Sequence, residues 1–71
     1  MAPTQVRNEI RRLRFEHGEM TQAELAGRIG LTRQTVNAIE QGKYSPTLEA
    51  AFRIALVFGR KLEEVFHYQG G

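Results

Sequence analysis

Residues 21–41 read TQAELAGRIGLTRQTVNAIEQ, a pattern of two short amphipathic helices joined by a glycine. Thr21 is placed to cap the first of these helices, and Glu24 three residues later completes a capping box. Gly30 ends this helix, because glycine enters a left-handed C-terminal turn without steric cost. Thr32 then caps the second helix. The stretch therefore predicts two helices with a tight turn between them.

Apolar residues at helical spacing give each of these two helices one face to bury. Those residues are Leu25, Ala26 and Ile29 in the first helix and Val36 and Ile39 in the second. Met20 and Leu31 stand immediately before the two caps, where a hydrophobic staple begins. Gly42 marks the end of the second helix.

Three further helices are predicted, from about Asn8 to His17, from Pro46 or Thr47 to just before Gly59, and as one short turn at Leu62–Val65. In the first of them Ile10 and Leu13 face inward. Ser45 or Thr47 caps the second. The chain is thus expected to contain five helices.

Composition limits what this chain can do. Its 71 residues are enough for one domain with a small core, and residues 69–71 are expected to form a disordered tail. There is no cysteine, which excludes disulfides and thiolate metal sites. Nothing resembles a signal peptide or a transmembrane segment, so we expect a cytoplasmic protein without a membrane partner. A net charge of +2 is by itself weak evidence for a nucleic-acid partner.

Catalytic and cofactor chemistry has little support in the sequence. Ser45 is the only serine and stands where a helix cap is wanted. His17 and His67 lie in different segments, without carboxylates at metal-ligand spacing. No glycine-rich phosphate loop follows a strand. We therefore expect no enzyme activity, no metal and no cofactor.

Residues 21–49, TQAELAGRIGLTRQTVNAIEQGKYSPTLE, resemble the helix-turn-helix of the phage Cro/repressor (XRE) family of DNA-binding proteins. The resemblance extends upstream to Leu13 and Arg14 and downstream through Leu62–Phe66. It implies an all-α, five-helix DNA-binding domain over the single domain 1–71. Some compact relatives pair their chain ends into a two-stranded sheet, which we expect here for Gln5–Arg7 and Val65–Tyr68.

One departure from the family pattern lies in the loop before the motif. Glu19 is an extra residue between Gly18 and Met20, and it lengthens the loop between the first two helices. The resemblance therefore does not fix the phosphate contacts near this loop. The family also pairs two positions as an ion pair between the first and third helices, here Arg14 and Glu40. The alternative is that both side chains are exposed and contribute little.

Rotation of the third helix by 100° per residue separates a buried face from a polar one. With Val36, Ile39 and Glu40 inward, the opposite face carries Gln34, Asn37, Ala38 and Gln41. A glutamine amide can bond adenine, and an alanine methyl can contact the thymine methyl. Within the motif, the candidate base-contacting residues are Arg33, Gln34, Asn37 and Ala38, although Asn37 could instead contact the backbone. A merely solvated face is the alternative.

Contacts to phosphates are expected where free N–H groups and the helix dipole favour an anion. In the family, the glutamine that opens the second helix holds the DNA backbone, and here it is Gln22. The other candidates are Thr32, Thr35, Lys43 and Tyr44. Lys43 could equally be an ordinary loop lysine, and Tyr44 could pack on the edge of the core.

The fourth helix, LEAAFRIALVF, is apolar almost all round. Leu48, Phe52 and Ala55 are expected to fill one face, while further apolar residues cover much of the remainder. A domain this small can hardly cover such a helix alone, so a second copy is the expected cover. The predicted dimer interface consists of Leu56, Val57, Phe66 and Tyr68. The alternative is a core wrapped by the C-terminal segment.

Together these features predict a sequence-specific transcriptional regulator, of the repressor type, that binds a pseudo-palindromic site in double-stranded DNA as a homodimer. One alternative is an antitoxin that binds its own promoter and a toxin protein. Another is a protein-binding helical module without DNA contact. No feature of the sequence identifies an operator or a small-molecule effector.

Overall fold

The fold is known from a computed structural model, which describes residues 4–69. Its elements are β1 (Val6–Asn8), α1 (Ile10–Glu16), α2 (Gln22–Ile29), α3 (Arg33–Glu40), α4 (Leu48–Phe58), α5 (Leu62–Val65) and β2 (Phe66–Tyr68). The predicted five helices and terminal sheet are confirmed. Across residues 4–69, no helix combines the length and the apolar character needed to cross a membrane.

The two strands pair antiparallel and bring the ends of the described chain together. Arg7 lies opposite His67, with Val6 opposite Tyr68 and Asn8 opposite Phe66. The Gln69 N–H donates to the Gln5 carbonyl at 2.9 Å, which extends the pairing by one residue. Of the tail predicted at residues 69–71, Gly70 and Gly71 lie outside the described residues.

Threonine caps begin the three longer helices after α1. The hydroxyls of Thr21, Thr32 and Thr47 accept the N–H groups of Glu24, Thr35 and Ala50, respectively. Of the two cap candidates for α4, the structure uses Thr47. At the end of α2, Gly30 has a φ of 74°, the left-handed conformation expected of it.

The start of α1 differs from the prediction by two residues. Asn8 belongs to β1, and its side-chain oxygen accepts the Ile10 N–H at 3.1 Å. The helix therefore begins only at Ile10, because Asn8 is held extended by its pairing with Phe66. His17, the predicted last residue, is the C-cap.

One apolar core joins all five helices. Its fully buried members are Ile10, Leu13, Leu25, Ile29, Val36, Ile39, Ile54 and Val65. Within the described residues, no buried side-chain nitrogen or oxygen lacks a hydrogen-bond partner. The core therefore holds α2 and α3 against α1 and α4 without an unsatisfied polar group.

The buried face of α4 is not the predicted one. Ala55 is buried as expected, but Leu48 and Phe52 are 67% and 50% exposed. The core instead receives Ala50, Ala51, Ile54, Ala55 and Phe58. Both faces of this helix are apolar, so its periodicity could not choose between them. Leu48, Phe52 and Leu56, spaced four residues apart, form an exposed row that we call the α4 stripe.

Candidate nucleic-acid interface

The outer face of α3 is presented by a helix that is firmly anchored on its inner side. Val36 and Ile39 are 1% and 2% exposed and hold α3 in the core. On the outer side Gln34 is exposed, while Asn37 and Ala38 are half-buried. The polar face predicted for this helix is therefore open at its N-terminal end and partly enclosed in its middle.

The N-terminus of α3 is suited to an anion. Its first turn contains no acidic residue, in contrast to α2, α4 and α5. Thr32 accepts the Thr35 N–H at 3.1 Å. The N–H groups of Arg33 and Gln34 have no acceptor among residues 4–69. Such unpaired N–H groups and the helix dipole favour a phosphate at this point.

Cations around α3 are available for a partner because they are not used in ion pairs within the described part of the chain. Arg33 and Lys43 are exposed and form no such pair. Arg12, in contrast, is engaged with Glu9 and Glu16. Those hydrogen bonds raise the pKa of the Arg12 guanidinium above its usual value. Charge is thus left uncompensated at both ends of α3.

The ion pair between α1 and α3 has two-point geometry. Arg14 Nε lies 2.7 Å from Glu40 Oε2, and Arg14 Nη2 lies 3.0 Å from Glu40 Oε1. The side chains are only 12% and 8% exposed. Arg14 Nη1 also donates to the Met20 carbonyl at 2.8 Å, which ties the loop before α2 to the same group.

Three amide side chains surround this ion pair. Gln22 Nε2 lies 3.1 Å from both Glu40 Oε1 and Asn37 Oδ1. Gln41 Nε2 donates to the same Asn37 oxygen at 3.3 Å. The amide hydrogens of Gln22 are therefore used inside the protein, and its main-chain N–H at the start of α2 is what it can offer a phosphate.

Sequence reasoning missed the role of Asn8. Its Nδ2 donates to the Ile39 carbonyl at 2.9 Å, while its Oδ1 caps the start of α1. One side chain thereby links β1, α1 and the last turn of α3. An asparagine before an apolar helical run is a possible cap signal, but nothing in the sequence indicates its partner 31 residues away.

The remaining candidates occupy mixed environments. Tyr44 is half-buried and packs against the core, as its alternative interpretation proposed. The Thr35 hydroxyl lies 2.9 Å from that of Thr32.

In the loop before α2, Gly18 and Glu19 both have left-handed backbone, with φ of 70° and 57°. The extra residue is thus accommodated by a second left-handed position rather than by displacement of the Thr21 cap.

The predicted interface residues divide into two kinds. Leu56 and Tyr68 are 78% and 72% exposed, whereas Val57 and Phe66 are half-buried against the core.

Among residues 4–69, no group of three or more His, Asp or Glu residues could hold a metal ion.

Comparison with known proteins agrees with this geometry. A helix-turn-helix family model, HTH_3, matches residues 10–65. An uncharacterized HTH-type transcriptional regulator of Methanocaldococcus jannaschii, MJ0272, is 45% identical over 64 residues, covering 90% of this chain and 96% of that protein. Another from Methanothermobacter thermautotrophicus is 52% identical over 62 residues, covering 86% and 88%. The Bacillus subtilis regulator YgzD is 43% identical over 61 residues, covering 86% and 91%.

A solved structure shows the same fold. The crystal structure of a protein from Bacteroides fragilis superimposes with a TM-score of 0.76, at 19% identity, covering 87% of this chain and 98% of that one. The family match and the names of the relatives confirm the prediction that this chain is not an enzyme. The match over residues 10–65 shows that the chain belongs to the helix-turn-helix family HTH_3, of the XRE type.

Proposed function

We propose that this protein is a sequence-specific DNA-binding transcriptional regulator, of the repressor type, that inserts α3 into the major groove. The observation that carries the proposal is the combination, on one helix, of an acid-free N-terminus, unpaired cations at both ends and an outer row of amides. Several relatives are named as transcriptional regulators, which supports the same function.

The outer face of α3 contributes the base contacts in this proposal. They come from Arg33, Gln34, Asn37 and Ala38. Gln34 is the strongest candidate because it is exposed and makes no hydrogen bond with its side chain among residues 4–69. Glutamine pairs in two-point fashion with adenine in the major groove.

Contacts to phosphates hold this helix in register without reading the sequence. They come from Gln22, Thr32, Thr35, Lys43 and Tyr44. For Gln22 the donor is the main-chain N–H, because both side-chain hydrogens are already bound. For Tyr44 the donor is the phenol hydroxyl, because its ring packs on the core.

The acting form in this proposal is a homodimer. The α4 stripe is a continuous row of exposed apolar side chains, and such contiguous apolar surface marks a site of protein–protein contact. Its flank carries Glu49 and Arg53, four residues apart. These two charges pair with each other at 2.8 Å within one chain. When two such helices pack antiparallel, the same two charges can pair across the two copies, so the face is complementary to itself. Leu56 belongs to this stripe, and Val57, Phe66 and Tyr68 extend the proposed interface.

Selection of bound sites from random duplex DNA tests the function. We expect an enriched site with two-fold symmetry, whose half-sites are about 34 Å apart, one turn of DNA. If each dimer contacts about six phosphates, affinity should fall roughly a thousandfold between about 50 and 200 mM salt. Equal affinity for all sequences, or binding that does not respond to salt, would refute the regulator.

A further inference from the structure

The Arg14–Glu40 ion pair determines which of the polar side chains behind α3 donates and which accepts in each hydrogen bond. An arginine side chain only donates, and an ionised carboxylate only accepts. Because Glu40 is bound at two points by Arg14 and both are nearly buried, the carboxylate offers its remaining acceptor capacity in one direction, toward Gln22.

Gln22 passes this constraint on. A glutamine amide can turn either its oxygen or its nitrogen to a neighbour, and the partners decide which. Glu40 Oε1 at 3.1 Å requires a donor, so Gln22 turns its NH2 group inward. The second hydrogen of that group points at Asn37 Oδ1, 3.1 Å away. Asn37 therefore accepts this hydrogen bond with its side-chain oxygen.

Asn37 is left with one orientation. Its Oδ1 accepts from Gln22 and also from Gln41 at 3.3 Å, which adds a second donor to the same atom. Its Nδ2 has no acceptor among residues 4–69. Asn37 lines an open cleft on the α3 side together with Arg11, Gln22 and Gln41.

We infer that the Arg14–Glu40 ion pair, acting through Gln22, makes Asn37 a donor-only reader of DNA, so that Glu40 sets base preference without touching a base. The inference rests on the proposed function. Asn37 then selects a base that presents an acceptor in the major groove (guanine, thymine, or adenine through its N7) over cytosine, whose only major-groove group is an amino donor. It does not form the two-point contact with adenine, which needs the amide oxygen as well as the nitrogen.

The variant Glu40→Gln is nearly isosteric. It exchanges donor and acceptor in each hydrogen bond from residue 40 through Gln22 to Asn37. Gln at position 40 keeps its oxygen on the shorter contact, Arg14 Nε, which puts its NH2 group where Oε1 stands. That group loses the bond from Arg14 Nη2 and donates to residue 22. Gln22 then accepts with its oxygen, Asn37 donates to it, and the Asn37 oxygen points outward. The outward atom has changed from donor to acceptor, although no DNA-facing residue has been replaced.

Site selection from one random duplex library, with the full-length protein and each variant, tests the inference. For Glu40→Gln we expect the preference at a single base pair in each half-site to move toward cytosine, which offers only an amino donor, by roughly three- to tenfold. Glu16→Gln is the matched control, since it removes an exposed ion pair with Arg12 on α1 and should leave every preference unchanged.

Gln22→Met covers the case in which Glu40→Gln does not fold. It keeps the ion pair but removes the donor between Glu40 and Asn37, so discrimination against cytosine should weaken at the same base pair. A uniform loss of affinity across the library in either folded variant, without a change in preference, would show that these residues only support the fold and would overturn the inference alone. Failure of the unmodified protein to select any site would instead overturn the proposed function, and the inference with it.

Discussion

At the residue scale, the side chains on the outer face of α3 differ in how many hydrogen bonds they make within the protein. Asn37 is bound by two amides, whereas Gln34 is exposed and has no side-chain partner among residues 4–69. A residue with both amide groups free can adapt to the edge of a base. Gln34 is therefore the residue whose loss should be felt at one base position only.

Gln34→Ala should cost about 1–3 kcal/mol of binding on the preferred site and relax the preference at a single base pair. Affinity profiles against a library of sites measure both effects. Gln69→Ala, an exposed glutamine after β2, is the control and should change neither. An unaltered profile for Gln34→Ala would remove this residue from the base-reading set.

Arg14 is the residue on which the placement of α3 depends most. Arg14→Met leaves the Glu40 carboxylate, 8% exposed, without its cation, and should lower the free energy of unfolding by about 3 kcal/mol. Urea denaturation followed by circular dichroism gives the value. Arg60→Met removes exposed ion pairs with Glu16 and Glu64, with an expected loss below about 1 kcal/mol. Equal losses for the two variants would mean that burial gives the Arg14 pair no special weight.

At the element scale, Gly27 inside α2 and Gly30 at its C-cap have opposite effects on stability. Gly30 ends the helix in the left-handed region, and an added Cβ would meet only Arg53 Nη1 at 3.6 Å, an ordinary contact. Any penalty there comes from the backbone. Gly27 lies inside the helix with nothing within 4 Å of an added Cβ, so it only weakens α2.

Alanine at these positions should therefore act in opposite directions. Gly30→Ala should destabilise the protein by about 1 kcal/mol, because a Cβ disfavours a φ of 74°. Gly27→Ala should stabilise it by about 0.5–1 kcal/mol. Thermal unfolding of the pair, measured side by side, checks the signs. A stabilising Gly30→Ala would contradict a left-handed end to α2.

At the scale of the whole molecule, the α4 stripe holds three of the five exposed large hydrophobic residues among residues 4–69. Leu56→Lys would place two unpaired ammonium groups in the proposed interface and should shift the protein to monomer, with weaker operator binding. Sedimentation at micromolar concentration measures the shift. Phe15→Lys changes an exposed apolar residue on α1 instead of α4 and should leave the dimer intact. A monomeric unmodified protein that binds its operator tightly would refute the proposed dimer.

Helix limits and the inner faces of α2 and α3 could be predicted from the sequence because their signals are local. The Thr21 and Thr32 caps act on N–H groups three residues away, and Gly30 sets its own backbone angle. The apolar spacing within each of these helices leaves only one face to bury. The family resemblance added the terminal sheet, which the short strand-like segments could not decide.

Only the tertiary structure decided how α4 is turned and what the polar side chains behind α3 bind. Both faces of α4 are apolar, so the packing of Ile54 and Phe58 against the other helices, rather than periodicity, selected the buried one. Gln22 finds its acceptors 15 and 18 residues away, and Asn8 finds one 31 residues away. Such pairings depend on which helices meet in space, and no local pattern contains that information.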